Sequence, residues 1–233
     1  MEQPNPSPLR VVLAEDEGLY RDMLRAALGQ DPTIEVVGAF ADGDALLAGA
    51  AALRPDVALL DIELGSSING VQAGLRLRQQ LPDLGIVLLS NLGAPRFLAA
   101  LKPEQIAGWA YLLKRSARSV DVLRRAIHGA SMGLVMLDPH LVAGRTPQPG
   151  GPLARLTPRQ HQMVELLAEG LSNEAIADRL GVSPRTVDNQ IGAIYDELGV
   201  DRADAGVQPR VKAVLLYLQE TQQIQGLREP TPT

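Results

Sequence analysis

Four of the five apolar runs in the first half of the chain close on residues suited to phosphoryl chemistry. LRVVLA (9–14) leads into Glu15 and Asp16, DVALLD (56–61) closes on Asp61, GIVLLS (85–90) on Ser90, and WAYLLK (109–114) on Lys114. The fifth run, IEVVGAF (34–40), carries no such group. Clustered carboxylates are hard oxygen ligands suited to Mg²⁺. A carboxylate can also act as a nucleophile and form an aspartyl phosphate. The phosphoryl oxygens then need positive charge and hydrogen-bond donors, which the metal, an ammonium and a hydroxyl would supply. Asp61 is the best nucleophile of the set, because it ends a central run with acids and Lys114 to either side.

Taken singly, these residues have plainer explanations. Glu15, Asp16 and Glu17 suit the first turn of a helix, where acids meet the positive end of the macrodipole. Ser90 could cap the next helix, and Lys114 could be a solvated strand-end charge. The elements decide whether they meet. Continuous apolar runs of this length read as parallel strands buried on both faces. Helical stretches at Gly18–Gly29, Asp42–Leu53, Asn69–Gln80 and Arg118–Ala130 alternate with them. That order implies a five-stranded, doubly wound parallel sheet with helices on both sides. In such a sheet ligands gather at the carboxyl ends of the strands, and all the residues named above would lie there.

Composition sets wider bounds. The 233 residues suit one large domain or two small ones, and the 45% hydrophobic content is that of a globular protein. Cysteine is absent, which excludes disulfides and thiolate metal sites and suits a reducing, cytoplasmic location. The N-terminal residues lack the pattern of a signal peptide, and no apolar run reaches bilayer-spanning length, so no membrane partner is expected. His128, His140 and His161 have no metal-like spacing. The net charge of −5 gives no general reason to expect nucleic-acid binding. The expected organisation is a disordered N-terminus at 1–8, an α/β domain at 9–131, a Pro- and Gly-rich flexible linker at 132–152, an all-α domain at 153–221 and a tail at 222–233.

Residues 9–131 resemble a receiver domain of flavodoxin-like fold, with LAEDE, LLDIEL, LLS and YLLK in that family's order. The resemblance implies Mg²⁺ at Glu15, Asp16, Asp61 and the backbone carbonyl of Glu63. It implies phosphorylation of Asp61 by a sensor histidine kinase, a switch hydroxyl at Ser90, an aromatic switch at Tyr111 and a phosphoryl-binding lysine at Lys114. Two departures stand out. The loop IELGSSING after Asp61 is longer than usual and lacks a Met-Pro turn. Pro103 should also break the fourth helix, leaving a short helix at 94–101 and a loop or second short turn after it.

The second half is helical. Thr157-Pro158-Arg159-Gln160 reads as a capping box with proline at the first helical position. A helix to about Glu169 ends at Gly170, Asn173–Leu180 ends at Gly181, and Ser183-Pro184 opens a third helix to about Leu198. The short connection between the last two is that of a helix-turn-helix. Val187, Ile191, Ile194 and Leu198 form the inward stripe of the third helix. The opposite face carries Arg185, Asp188, Asn189, Gly192 and Asp196.

The segment 156–200 resembles the LuxR-type helix-turn-helix of the NarL/FixJ response regulators. It implies a transcription factor that is not an enzyme and that meets double-stranded DNA through Arg185, Thr186, Asp188, Asn189 and Gly192. A homodimer is expected, with Val211, Val214, Leu215 and Leu218 on the last helix as its dimerisation stripe. Charge argues the other way. Residues 153–221 hold seven basic and ten acidic side chains, a net of −3, and Asp188 stands where a lysine is common. The alternative is a receiver-headed protein-interaction adaptor with weak or no DNA binding.

Overall fold

The computed structural model describes residues 7–65, 67–91, 102–143, 145–203 and 207–223. They divide into two compact units, the first drawing on described residues up to 91 and on Ile106–Asp138, the second on 102–105 and on those from Pro139 onward. The first is a parallel sheet built from β1 (Leu9–Ala14), β2 (Ile34–Phe40), β3 (Val57–Asp61), β4 (Gly85–Ser90), β5 (Trp109–Leu113) and β6 (Met136–Leu137). The spatial order is β2-β1-β3-β4-β5-β6, and every pairing is parallel. Between the strands run α1 (Gly18–Leu28), α2 (Gly43–Gly49), α3 (Gly70–Gln80) and α5 (Val120–Ser131), while the single turn α4 (Pro103–Ile106), which precedes β5 in sequence, groups mostly with the second unit. The expected short helix at 94–101 falls outside the described residues.

Alternation within the strands sends side chains to two cores. Val11, Leu13, Val57, Leu59, Val87, Leu89, Ala110 and Leu112 pack with Leu24 and Leu28 of α1 and with Leu123 and Ile127 of α5. Val12, Ala58, Leu60, Ile86 and Leu88 alternate with them along the same strands and are equally buried. All residues of β3, β4 and β5 are buried, so these strands read as unbroken apolar runs in the sequence. Local signals place the helices. Asp42 caps α2, and Asn69 with Gln72 forms a capping box on α3.

The sheet has six strands where five were expected. Met136 pairs with Ala110 and Leu137 with Tyr111, and the Asp138 N–H donates to the Tyr111 carbonyl at 2.8 Å. Asp138 is fully buried, and its carboxylate accepts from the Leu113 N–H at 2.9 Å. A two-residue strand is too short to show a period, so the sequence reads only as linker there.

The second unit contains α6 (Pro158–Ala168), α7 (Asn173–Leu180), α8 (Pro184–Glu197) and α9 (Pro209–Glu220). Thr157, Ser172 and Ser183 cap α6, α7 and α8 with side-chain oxygens. Gly170, Gly181 and Gly199 follow those helices at positive φ, a backbone region that glycine enters without a Cβ clash. The unit is not wholly helical. β7 (Arg145–Pro147) pairs antiparallel with β8 (Thr221–Gln223). The Tyr217 hydroxyl donates to the Val142 carbonyl at 3.1 Å, and the Arg145 guanidinium to Thr221 Oγ1 at 2.9 Å. Two short stretches of the Pro- and Gly-rich span expected as a linker, Met136–Leu137 and Arg145–Pro147, thus pair as strands, each within its own unit. Strand pairing with partners far along the chain overrides local composition.

Candidate functional site

The carboxyl edge of the sheet collects the side chains singled out by type. One carboxylate oxygen from each of Glu15, Asp16 and Asp61 lies within 4.8 Å of the others. The Lys114 ammonium closes the group, 2.7 Å from Asp61 Oδ2 and 2.9 Å from Glu15 Oε2. The strand register makes this convergence unavoidable. Asp61 is level with Leu89, Ser90 with Leu113, and the Lys114 N–H donates to the Ser90 carbonyl. Glu15, Asp61 and Ser90 are buried, whereas Asp16 is exposed and forms the pocket's solvent side.

Burial dominates the titration of Glu15. Burial, joined by the charge of Asp61, pushes its carboxyl up to about 7 against the pull of Lys114. For Lys114, burial pulls downward, but hydrogen bonds to Asp61 and Glu15 outweigh it and hold the ammonium above its ordinary value. The Glu63 backbone N–H donates to Asp61 Oδ1 at 3.2 Å while its side chain is exposed. Ser90 and Tyr111 meet as a pair behind the pocket. Tyr111 is 2% exposed; burial raises its phenol, and a hydrogen bond with the Ser90 side chain works against that rise.

Sequence reasoning missed several contributors. Lys114 sits over the Tyr20 ring at 4.9 Å, and the Tyr20 hydroxyl donates to the Lys114 carbonyl at 3.3 Å. Arg21 donates to the Glu15 carbonyl at 2.6 Å. These come from α1, and nothing in local spacing ties α1 to a strand so distant in sequence. Two glycines shape the long loop after Asp61. A Cβ on Gly65, at φ +57, would lie 2.9 Å from Asp16 Oδ2, and one on Gly70 would collide with the Asp61 carbonyl. Glycine in a loop read as lengthened was the available signal.

In the second unit, α8 buries Val187, Ile191 and Ile194, with Leu198 just beyond its end. Arg185, Thr186, Asp188 and Asn189 are exposed, and Gly192 is half-buried. The Thr186 hydroxyl is 2.8 Å from that of Ser183. Asp188, the acid that counted against a nucleic-acid surface, accepts from Asn173 Nδ2 at 2.7 Å. The expected dimerisation stripe is not a free face. Val211 and Val214 are 0% exposed and Leu215 and Leu218 4%, on a helix that packs against α6 within a single chain. The periodicity that suggested a second copy is satisfied by the unit's own core.

Comparison with known proteins follows the same division. Residues 11–128 of the 233 match the family described as response regulator receiver domain, and residues 154–205 match bacterial regulatory proteins of the luxR family. The probable transcriptional regulatory protein NarL of Mycobacterium tuberculosis is 32% identical over 220 residues, covering 93% of this chain and 100% of that protein. The DNA-binding transcriptional activator DevR/DosR of the same organism is 30% identical over 200 residues, covering 83% and 90%. A solved structure of two RcsB dimers bound to two parallel DNAs shares the fold, with a TM-score of 0.51, 24% identity, and coverage of 92% of this chain and 99% of that one. The acid-and-lysine pocket, the capped helix-turn-helix and these near full-length matches together make the chain a member of the NarL/FixJ family of response regulators.

Proposed function

We propose that this chain is a phosphorylation-gated transcription factor of a two-component system, working in the cytoplasm. The observation that carries the proposal is the contact of Lys114 with both Glu15 and Asp61 beside a third carboxylate, Asp16. A sensor histidine kinase presents a phosphohistidine. An oxygen of the Asp61 carboxylate attacks the phosphorus, the P–N bond breaks, and an acyl phosphate remains on Asp61. Lys114 draws the phosphoryl oxygens by charge, and the Ser90 hydroxyl offers a donor after turning from Tyr111.

The pocket fits a divalent cation. Three hard oxygen donors, one of them the buried Glu15, converge beside a single ammonium. Glu15, Asp16, Asp61 and the Glu63 carbonyl would hold Mg²⁺, which when bound neutralises charge on the phosphoryl oxygens. Among the described residues no helix is long and apolar enough to cross a membrane.

Arg185, Thr186, Asp188, Asn189 and Gly192 on α8 would face the major groove, as recognition helices do. Asn189 suits adenine and Arg185 suits guanine or phosphate. A homodimer on two half-sites is expected, and with the α9 stripe covered, another surface must join its copies. No observation favours the adaptor alternative. Incubation with a small-molecule phosphodonor and Mg²⁺ tests the reading. Wild type should acquire one acid-stable, base-labile phosphoryl group and Asp61→Asn none; labelling of Asp61→Asn would refute the assignment.

A further inference from the structure

One position on α8 has no backbone reason to be glycine. Gly192 lies within the helix at ordinary helical φ, where glycine weakens the helix relative to other residues. The space its side chain would take is instead approached by Arg202, whose Nη1 lies 3.3 Å from where a Cβ on Gly192 would be. The other terminal nitrogen, Nη2, is 2.8 Å from Asp196 Oδ1. Arg202 stands in the segment after α8 and folds back across its face. Residues 185, 189, 192 and 196 recur at helical spacing, so Gly192 and Asp196 continue the stripe that Arg185 and Asn189 begin.

We infer that Arg202 is a DNA-backbone contact, its guanidinium occupying the place on α8 that Gly192 leaves open and presenting its remaining N–H donors to a phosphodiester. The inference rests on the DNA-binding reading above. Phosphate is the partner rather than a base edge because the N-terminal residues of a recognition helix reach the bases. Gly192 and Asp196 continue the groove-facing stripe into the C-terminal half of α8, where that stripe comes up to the backbone at the groove's edge. Asp196 orients the planar fork and loses its own repulsion toward DNA by pairing with it. Asp188 is hydrogen-bonded by the neutral Asn173 amide and keeps its charge, so of the two acids on this face only Asp196 is paired with a cation. The Arg202 side chain is 55% exposed, and so within reach of a ligand.

The test is a salt titration of binding by full-length protein, with and without phosphodonor. The probes are a duplex of random sequence and a duplex selected from a random pool by the phosphorylated wild type. Arg202→Ala should weaken binding to both duplexes by about tenfold at low salt. It should also lower the slope of log affinity against log salt by about one. Gly192→Lys added to Arg202→Ala should recover most of the loss, because it returns a cation to the same place on α8. An unchanged slope and affinity in Arg202→Ala, with wild type binding normally, would overturn the inference and leave the DNA reading intact. Loss of binding to one base position only would overturn the assignment to phosphate. Failure of wild type to bind either duplex in either state would overturn the DNA reading and this inference together.

Discussion

Lys114→Met should destabilise the receiver in the absence of metal, and by an amount that grows with pH. The side chains of Glu15 and Asp61 are 1% and 3% exposed, and that of Lys114 14%. Removing one partner of a buried ion pair costs ~3–5 kcal/mol, because the remaining charge is left uncompensated. Here a cost near the lower end, about 3 kcal/mol, is expected, since Glu15 can shed its charge by taking up a proton. Even in the wild type its carboxyl titrates near 7 against an ordinary 4.5. The native chain then holds more protons than the unfolded chain between those values, so metal-free stability falls as pH rises through this window. Losing Lys114 carries the Glu15 carboxyl further up and extends the window to higher pH.

Trp109, the single tryptophan of the chain, is fully buried in β5, so its fluorescence in urea reports the receiver alone. With an m-value of about 1.5 kcal/mol/M, the midpoint in EDTA at pH 8 should fall by about 2 M. The shift should shrink toward pH 5, and Mg²⁺ should recover more stability in the variant than in wild type, because the cation replaces the missing charge. A midpoint shift below ~0.3 M at pH 8, or one that grows on acidification, would refute the reasoning.

Asp138→Ala should remove the acceptor of the buried Leu113 N–H and cost about 1–3 kcal/mol by the same fluorescence measurement. Leu218→Ala should cost ~2–5 kcal/mol through the cavity it leaves. It should not change the monomer–dimer balance in sedimentation, because Leu218 is covered within one chain. Asp188→Asn should tighten binding to a random-sequence duplex by a few-fold at low salt, and the gain should fade as salt screens the removed charge.

The pocket was legible in the sequence because its chemistry comes in residue types at the ends of recognisable strands. A parallel sheet places those ends on one edge whatever the intervening segments contain, so Glu15, Asp16, Asp61 and Lys114 could be brought together from order alone. The helices of the second unit were equally legible. Their limits are set by local devices, a capping Thr or Ser at one end and a positive-φ glycine at the other.

Other features depend on partners distant in sequence. Met136–Leu137 becomes a strand only because β5 offers an open edge, and Arg145–Pro147 only because Thr221–Gln223 arrives beside it. Amphipathic periodicity marks which face of α9 is apolar, but the same stripe suits a partner copy or the unit's own core. Packing chose the core. The charge of the reading face was hidden for a related reason. Net charge counts Asp196 as a bare acid, and only a tertiary contact shows Arg202 engaging it, while Asp188 keeps its charge beside the Asn173 amide.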